Sequence, residues 1–351
     1  KAMAKTDVSA ADKALIDKLA AEFSDELNNL GVRVSNLERN ADNVKWNGQA
    51  RYRYWSDRRE GRSPEKKNKD QMNLRFEPTA QVNNNWSVKS RIDAWTNPSK
   101  DKADKEGQDD FKIARVWAQG DYKNFQVKLG KMPLFSTETN GMLFDAEFSG
   151  ASVTAGNKLK ATVEAGRWNL GDSRTYTNIH NANEDTANYQ GYMLNGAAGK
   201  LYGGAAYRHF ESNGFKAIKA DTDEANIWSV GAGYTFDKNW NLNGGYAKNE
   251  KADDFDTAHN IQLNYKGAQK ANKGSWGAYA AYRYLGKNVA FNPVYETFLN
   301  DGASNAKGWE VGAEYAPFAN VLAAVNYFDG KQLENNDLSD KVLFGRVNFF
   351  F

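Results

Sequence analysis

From residue 44 to residue 351, apolar and polar side chains alternate in short blocks, the period of a strand with two different faces. In Val342-Leu343-Phe344-Gly345-Arg346-Val347-Asn348-Phe349-Phe350-Phe351, apolar residues fall at 343, 347, 349 and 351 around Gly345. Arg346 and Asn348 point the other way. Near the start of the block, Trp46, Gly48, Ala50, Tyr52 and Tyr54 stand opposite Asn47, Gln49, Arg51 and Arg53. The same rule places strands near 44–55, 71–80, 86–95, 111–120, 125–131, 148–156, 159–167, 189–197, 201–209, 225–236, 240–248, 258–266, 275–284, 309–316, 321–328 and 341–351, sixteen in all. The segment Tyr189-Gln190-Gly191-Tyr192-Met193-Leu194 does not choose a face. An even number of strands suits antiparallel closure into a ring.

The connections fall into two kinds. Asp121–Asn124, Gly156–Lys158, Ala198–Lys200, Asp237–Asn239 and Pro317–Asn320 are tight turns, whereas the intervening loops, such as 131–147, 168–188 and 285–307, are long and polar. Trp86, Phe125, Tyr234, Phe236, Trp240, Trp276, Tyr315 and Phe349 fall near the tight turns; Tyr52, Tyr54, Tyr207, Tyr246, Tyr282, Tyr284 and Tyr327 fall near the far ends. Two aromatic belts, short turns on one side and long loops on the other are the signature of a barrel in an outer membrane. A soluble sandwich also alternates, but strands of about nine to eleven residues match a tilted span of the hydrocarbon core.

Residues 1–40 have a different period. Ile16, Ala20, Phe23, Leu27, Leu30, Val34 and Leu37 step by four and three, a heptad seam that predicts a coiled coil from Ser9 to Leu37, roughly 44 Å long. Leu19 widens the seam and favours three helices over two; Gly31 weakens its lower half. The alternative is a surface helix packed on the following domain. The expected fold is therefore all-β, a sixteen-stranded antiparallel transmembrane β-barrel over 44–351, preceded by an α-helical coiled-coil stalk over 1–40 at the short-turn, periplasmic end.

Composition agrees with a wet interior and a greasy exterior. Mean hydropathy is −0.77, yet 13% of residues are aromatic, unlike a disordered chain. No apolar run approaches the length of a spanning helix. The net charge of +2 points to no nucleic-acid partner, and the absence of cysteine excludes disulfides and thiolate chemistry. The chain begins at Lys1 rather than Met and is read as a mature or truncated piece of a longer precursor.

Sixteen strands leave an aqueous channel rather than a filled core, so the candidate chemistry lies on the polar faces. Arg51, Arg53, Arg75, Lys89, Arg91, Arg115 and Lys128 fall on the first five strands and make one basic wall. The loop from Lys131 to Glu147 carries Glu138, Asp145 and Glu147. Folded into the lumen, it would oppose that wall and set a transverse field across the pore; turned outward, it would leave the lumen charge inert. Catalysis finds no support: His180, His209 and His259 lie in separate segments and no nucleophile or phosphate-binding motif occurs. The chain is read as a non-enzyme without a cofactor. Asp221-Thr222-Asp223-Glu224 and Asp253-Asp254-Phe255-Asp256 are the one hint of loop Ca²⁺, without the EF-hand spacing.

Leu27-Asn28-Asn29-Leu30-Gly31-Val32-Arg33-Val34-Ser35-Asn36-Leu37-Glu38, followed by Trp46-Asn47-Gly48-Gln49-Ala50-Arg51-Tyr52-Arg53-Tyr54, resembles the stalk-to-barrel junction of the S-layer-homology porins, the OmpM family of outer-membraned Firmicutes. The resemblance implies a homotrimer of outer-membrane porins on a periplasmic stalk. It also implies an S-layer-homology domain that binds cell-wall polymer, which is absent from this sequence. Three functions follow as expectations: a general diffusion porin for small hydrophilic solutes and ions, a structural tether with an incidental channel, or a substrate-specific channel with Trp117 and Phe344 as an aromatic slide.

Overall fold

The computed structural model describes residues 10–24, 43–60, 65–96, 98, 110–173, 179, 186–298, 305–335 and 338–351. The chain divides into two compact units, Lys1–Lys45 and Trp46–Phe351. In the first, α1 covers Ala10–Glu22. It is rich in alanine and leucine, and Asp12 in its first turn complements the positive end of the helix dipole. Leu15, Leu19 and Phe23 recur every four residues and are exposed. Of the expected seam, Ile16 and Ala20 lie on α1 and Phe23 immediately after it; Leu27, Leu30, Val34 and Leu37 lie outside the described residues.

The second unit is an antiparallel barrel of sixteen long strands: β1 Gly48–Arg59, β2 Lys66–Phe76 (resuming as Thr79–Gln81), β3 Trp86–Thr96, β4 Asp110–Asp121, β5 Phe125–Phe135, β6 Asp145–Ala155, β7 Leu159–Asn169, β8 Thr186–Ala198, β9 Leu201–Glu211, β10 Glu224–Thr235, β11 Trp240–Asn249, β12 Thr257–Lys266, β13 Trp276–Leu285, β14 Ala306–Phe318, β15 Val321–Gln332 and β16 Ser339–Phe350. Each strand pairs with its neighbours in sequence, and β16 pairs with β1 in the register Phe349↔Ala50 and Val347↔Tyr52, which closes the ring. Closure gives the first and last strands a partner, the condition for strands to cross lipid. At the seam Gly48 and Phe351 exchange both backbone hydrogen bonds (2.9 and 3.0 Å).

The strands run longer than the hydrophobic alternation predicts. β2 begins with Lys66-Lys67-Asn68-Lys69-Asp70, polar on both faces, so periodicity gives no signal although the ladder continues. Such extensions carry the barrel wall past the apolar band. Strict alternation over 111–120 sets Ala114, Val116 and Ala118 on one face against Arg115, Trp117 and Gln119, and β4 departs from it. Arg91 pairs with Arg115 but Ile92 pairs with Ile113, so Ala114 is an extra residue. This bulge shifts the alternation by one: Phe111, Ile113 and Val116 are exposed while Ala114 is buried.

The outer surface carries an exposed apolar band that includes Leu129, Val163, Leu194, Val230, Ile261, Val311 and Val325. Rings meet at both of its margins. At the turn end Trp86 Nε1 donates to the Tyr122 hydroxyl (2.9 Å), and Tyr122 stacks on Phe125; Trp240, Tyr265 and Trp276 form a row. At the other end Trp228 meets Tyr246, Tyr282 meets Trp309, and His259 stacks on Tyr284. Aromatic side chains with an apolar body and a polar tip are what the two lipid–water boundaries select. No described helix is long and apolar enough to cross a membrane; the strands do so.

The ambiguous eighth strand resolves for a physical reason. Tyr189 and Met193 are buried on the inner side while Tyr192 and Leu194 are exposed outside. The inward tyrosine is aromatic because the lumen here is filled: its ring stacks on Phe210 at 4.9 Å, and its hydroxyl donates to Glu164 Oε2 (2.7 Å). Phe144, Trp168, Phe210, Phe215 and Phe291 complete this inner apolar cluster.

Candidate channel constriction

Among the described residues, two segments that hydrogen-bond to each other leave the wall and enter the barrel. The first joins β5 to β6. Ser136 is buried, and its Oγ accepts from the backbone N–H of Leu143 (3.1 Å) and Phe144 (3.2 Å), which pulls the two ends of the loop together. Between them Thr137–Thr139 form one 3₁₀ turn, and Asn140 reverses the chain in the left-handed conformation at φ 52°. Asn is among the few residues that tolerate this region.

The loop is anchored on the inner faces of β9–β11 by Glu138. Arg208 Nη1 and Nη2 donate to its two oxygens at 2.7 and 3.0 Å, and Ser229 Oγ donates at 2.6 Å. Both partners of the ion pair have fully buried side chains. Burial by itself raises the Glu138 carboxyl pKa, but the Arg208 charge and the hydrogen bonds from Arg208 and Ser229 outweigh it, so the group stays below the ordinary carboxylate range. The wall beneath is bare: a Cβ on Gly231 would collide with the Glu138 carbonyl, and one on Gly245 would press on Thr139.

The second segment follows β13. Val289, Ala290 and Phe291 are fully buried against the inner cluster. Beyond them the two segments join: Asn292 N–H donates to Leu143 O (2.9 Å), Asp145 N–H to Asn292 O (2.7 Å) and Val294 N–H to Gly141 O (3.0 Å). The expectation of a long, polar loop at 285–307 therefore needs correction at Val289–Phe291, which are apolar and fully buried. Its apolar run is short and flanked by Asn, which reads as loop, yet it packs inside the barrel.

The basic wall is built as a chain of shared carboxylates. Arg75 and Arg91 hold Asp93 at 2.6 and 2.8 Å. Arg91 and Arg115 hold Glu147 at 3.9 and 2.9 Å, and Arg115 reaches Asp145 at 3.9 Å. Arg51, Arg53 and Arg346 converge on Glu296 at 3.7, 3.2 and 3.5 Å. Arg346 also meets Glu314 at 3.1 Å. Lys89 and Lys128 lie elsewhere on the wall, opposite Trp117 and Gln119 in the strand register.

The structure thus brings Arg51 and Arg53 together at one point, and Arg75, Arg91, Arg115, Asp145 and Glu147 at another. It sets Glu138 apart, on Arg208 rather than on the basic wall. Arg208, Arg346, Asp93 and Glu296 are absent from the residues singled out by sequence. The first three sit on polar faces of strands and were accessible to the alternation rule; Glu296 reaches its partners only through the fold. A cavity of about 310 Å³ borders both inward segments and the wall, with Asn140, Tyr295, Glu296, Glu310 and Arg346 among its lining.

The proposed aromatic slide loses one member. Phe344 is fully buried against Trp55 at 5.3 Å and offers no sliding surface. Trp117 packs beside the inner cluster. The acidic runs are engaged by lysines: Lys219 with Asp253 (2.8 Å), Lys251 with Glu224 (2.7 Å) and Lys248 with Asp256 (3.4 Å). Among the described residues no three His, Asp or Glu side chains group as metal ligands. His209 Nδ1 lies 2.6 Å from Asn226 Oδ1, and His180 is outside the described residues.

A closed barrel with an apolar belt, aromatic margins and a charged, loop-narrowed interior defines an outer-membrane channel. The sequence profile of Gram-negative porins matches residues 34–348, and the chain belongs to that family. Porins are non-enzymatic channels. No curated protein matches the chain in sequence. Among solved structures it is similar to engineered variants of Rhodopseudomonas blastica porin. Two of these share 12% identity at a TM-score of 0.55, and a triple mutant shares 11% at 0.53; each alignment covers 88% of this chain and 100% of the other. At these identities the likeness is one of fold.

Proposed function

We propose that this chain is a general diffusion porin, passing small hydrophilic solutes and ions with weak charge selectivity. The carrying observation is the row of guanidinium groups from Arg346 and Arg51 through Arg75 and Arg91 to Arg115, which borders the segments that narrow the lumen. Cations outnumber the carboxylates they share, so the aperture carries a positive field that favours small anions while neutral solutes pass by size. Arg51, Arg53, Arg75, Lys89, Arg91, Arg115, Lys128, Asp145 and Glu147 line the constriction in this reading, and Glu138 holds the loop that forms it. Liposome swelling with sugars of graded size tests the assignment. Uptake that falls with size supports diffusion; no uptake at any size favours a structural role, and saturable uptake of one solute favours a specific channel.

The N-terminal segment is read as a periplasmic stalk that joins three copies. The exposed stripe of Leu15, Leu19 and Phe23 on and just after α1 supports it, since such a stripe asks for a partner surface. A tether to cell-wall polymer through an S-layer-homology domain rests on the OmpM resemblance. The mass of the detergent-solubilised protein, with and without residues 1–40, tests the assembly.

A further inference from the structure

We infer that Glu296 is a selectivity-setting carboxylate, carried into the lumen by the segment 286–297 and acting on small permeating anions. The inference rests on the channel reading above and deepens it. The segment is fixed along its length. Asn249 Nδ2 donates to Asn288 O (2.7 Å), and Phe291 is sealed in the inner cluster. Asn292 and Val294 are hydrogen-bonded to the first inward loop. Asn260 Nδ2 donates to the Tyr295 hydroxyl (2.7 Å), and Arg283 lies 3.6 Å over the Tyr295 ring. The Thr297 hydroxyl donates to Glu310, and Trp55 Nε1 donates to Glu296 O (2.9 Å). Glu296 therefore has a held backbone on one side and three guanidinium groups on the other.

The charge balance gives this residue its weight. Arg51 and Arg53 on β1 and Arg346 on β16 all lie within 3.7 Å of one carboxylate. That carboxylate borders the lumenal cavity. It offsets part of the field that three clustered cations would present to a passing anion, and its presence holds the three side chains in place. Unlike Glu138, which is sealed away on Arg208, Glu296 sits where its charge reaches the solute. The pore is then tuned by two inward segments with separate tasks: the Glu138 loop sets the aperture, and the Glu296 segment sets how strongly anions are drawn to it.

Reversal potentials in a potassium chloride gradient across planar bilayers test this, with the full chain as wild type, Glu296→Gln, Glu296→Asp and Thr297→Val. Glu296→Gln is expected to raise the chloride-to-potassium permeability ratio several-fold, with the rise shrinking as ionic strength increases. Glu296→Asp keeps the charge and should keep the wild-type ratio. Thr297→Val loosens the segment without changing charge and should alter conductance while leaving the ratio in place. A conducting Glu296→Gln channel with wild-type reversal potential overturns the inference alone, as does a Thr297→Val channel that shifts the ratio equally. A wild type that forms no channel removes the channel reading itself and the inference with it.

Discussion

Arg208 grips Glu138 through two parallel hydrogen bonds of 2.7 and 3.0 Å inside the barrel, beside its inner apolar cluster. The geometry is the planar fork that guanidinium and carboxylate share, the strongest form of charged hydrogen bond available to side chains. Seventy residues of chain separate the partners, so the pair fastens a loop to a distant part of the wall. Removing one partner leaves a buried, uncompensated charge, at a cost of about 3–5 kcal/mol. Arg208→Ala and Glu138→Gln are each expected to free the loop, giving larger and noisier single-channel currents. The double variant should cost less than the sum of the two.

Acid acts through the same pair. The Glu138 carboxyl is held below its ordinary value of about 4.3. A group lowered in the folded state stabilises the fold above its unfolded pKa, and that stability is lost as pH falls through the folded value. The loop should therefore stay anchored through mildly acidic pH and loosen only below the usual glutamate range. Amide exchange across 136–144 as a function of pH reads this directly; release near neutral pH would contradict it.

Gly231 is where the loop rests on the wall. Any side chain there meets the Glu138 carbonyl. Gly231→Val should lift the loop while the barrel remains closed, changing conductance and solute cut-off without loss of the folded, heat-modifiable form on gels. Gly345, a wall glycine of β16 with open space around the position of a Cβ, is the control site.

The arginine row should set the sign of selectivity. Arg51→Ala, Arg75→Ala and Arg115→Ala are each expected to move the reversal potential toward the cation side. Near 1 M salt, where charges are screened within about 3 Å, the differences should fade. Equal shifts at low and high salt would mean that the side chains act by size.

Lipid-facing and lumenal positions alternate, so neighbours in sequence should respond oppositely to the same charge. Val325 lies on the exposed outer band, and Asn326 lines the lumenal cavity. Val325→Arg should destabilise folding into bilayers by about 2–4 kcal/mol if it sits near the midplane. Asn326→Arg should instead be tolerated by the fold and alter ion flow. Urea titrations of folding into vesicles compare the two.

The barrel was legible because lipid outside and water inside impose the same two-residue period on every strand. Where a strand leaves that regime, the pattern fails. Lys66–Asp70 are wet on both sides and give no alternation, Tyr189 faces a filled part of the lumen, and Ala114 shifts the phase of β4. The positive wall was visible as arginines on polar faces. The partners that organise it were not: Glu296 meets Arg53 across 243 positions, and nothing local marks it. Val289–Phe291 look like part of a surface loop until the closed barrel supplies them with an interior.

The exchange of backbone bonds between Gly48 and Phe351 has a bearing on biogenesis. The first and last strands of the cylinder are mutual partners, so neither can be fully satisfied until all sixteen strands are in place. A sheet assembling strand by strand keeps an unzipped flank until β16 docks on β1. Breaking the β16–β1 pairing should therefore leave every other strand an intact address in lipid but deny the cylinder its clasp, turning a folding intermediate into the end product.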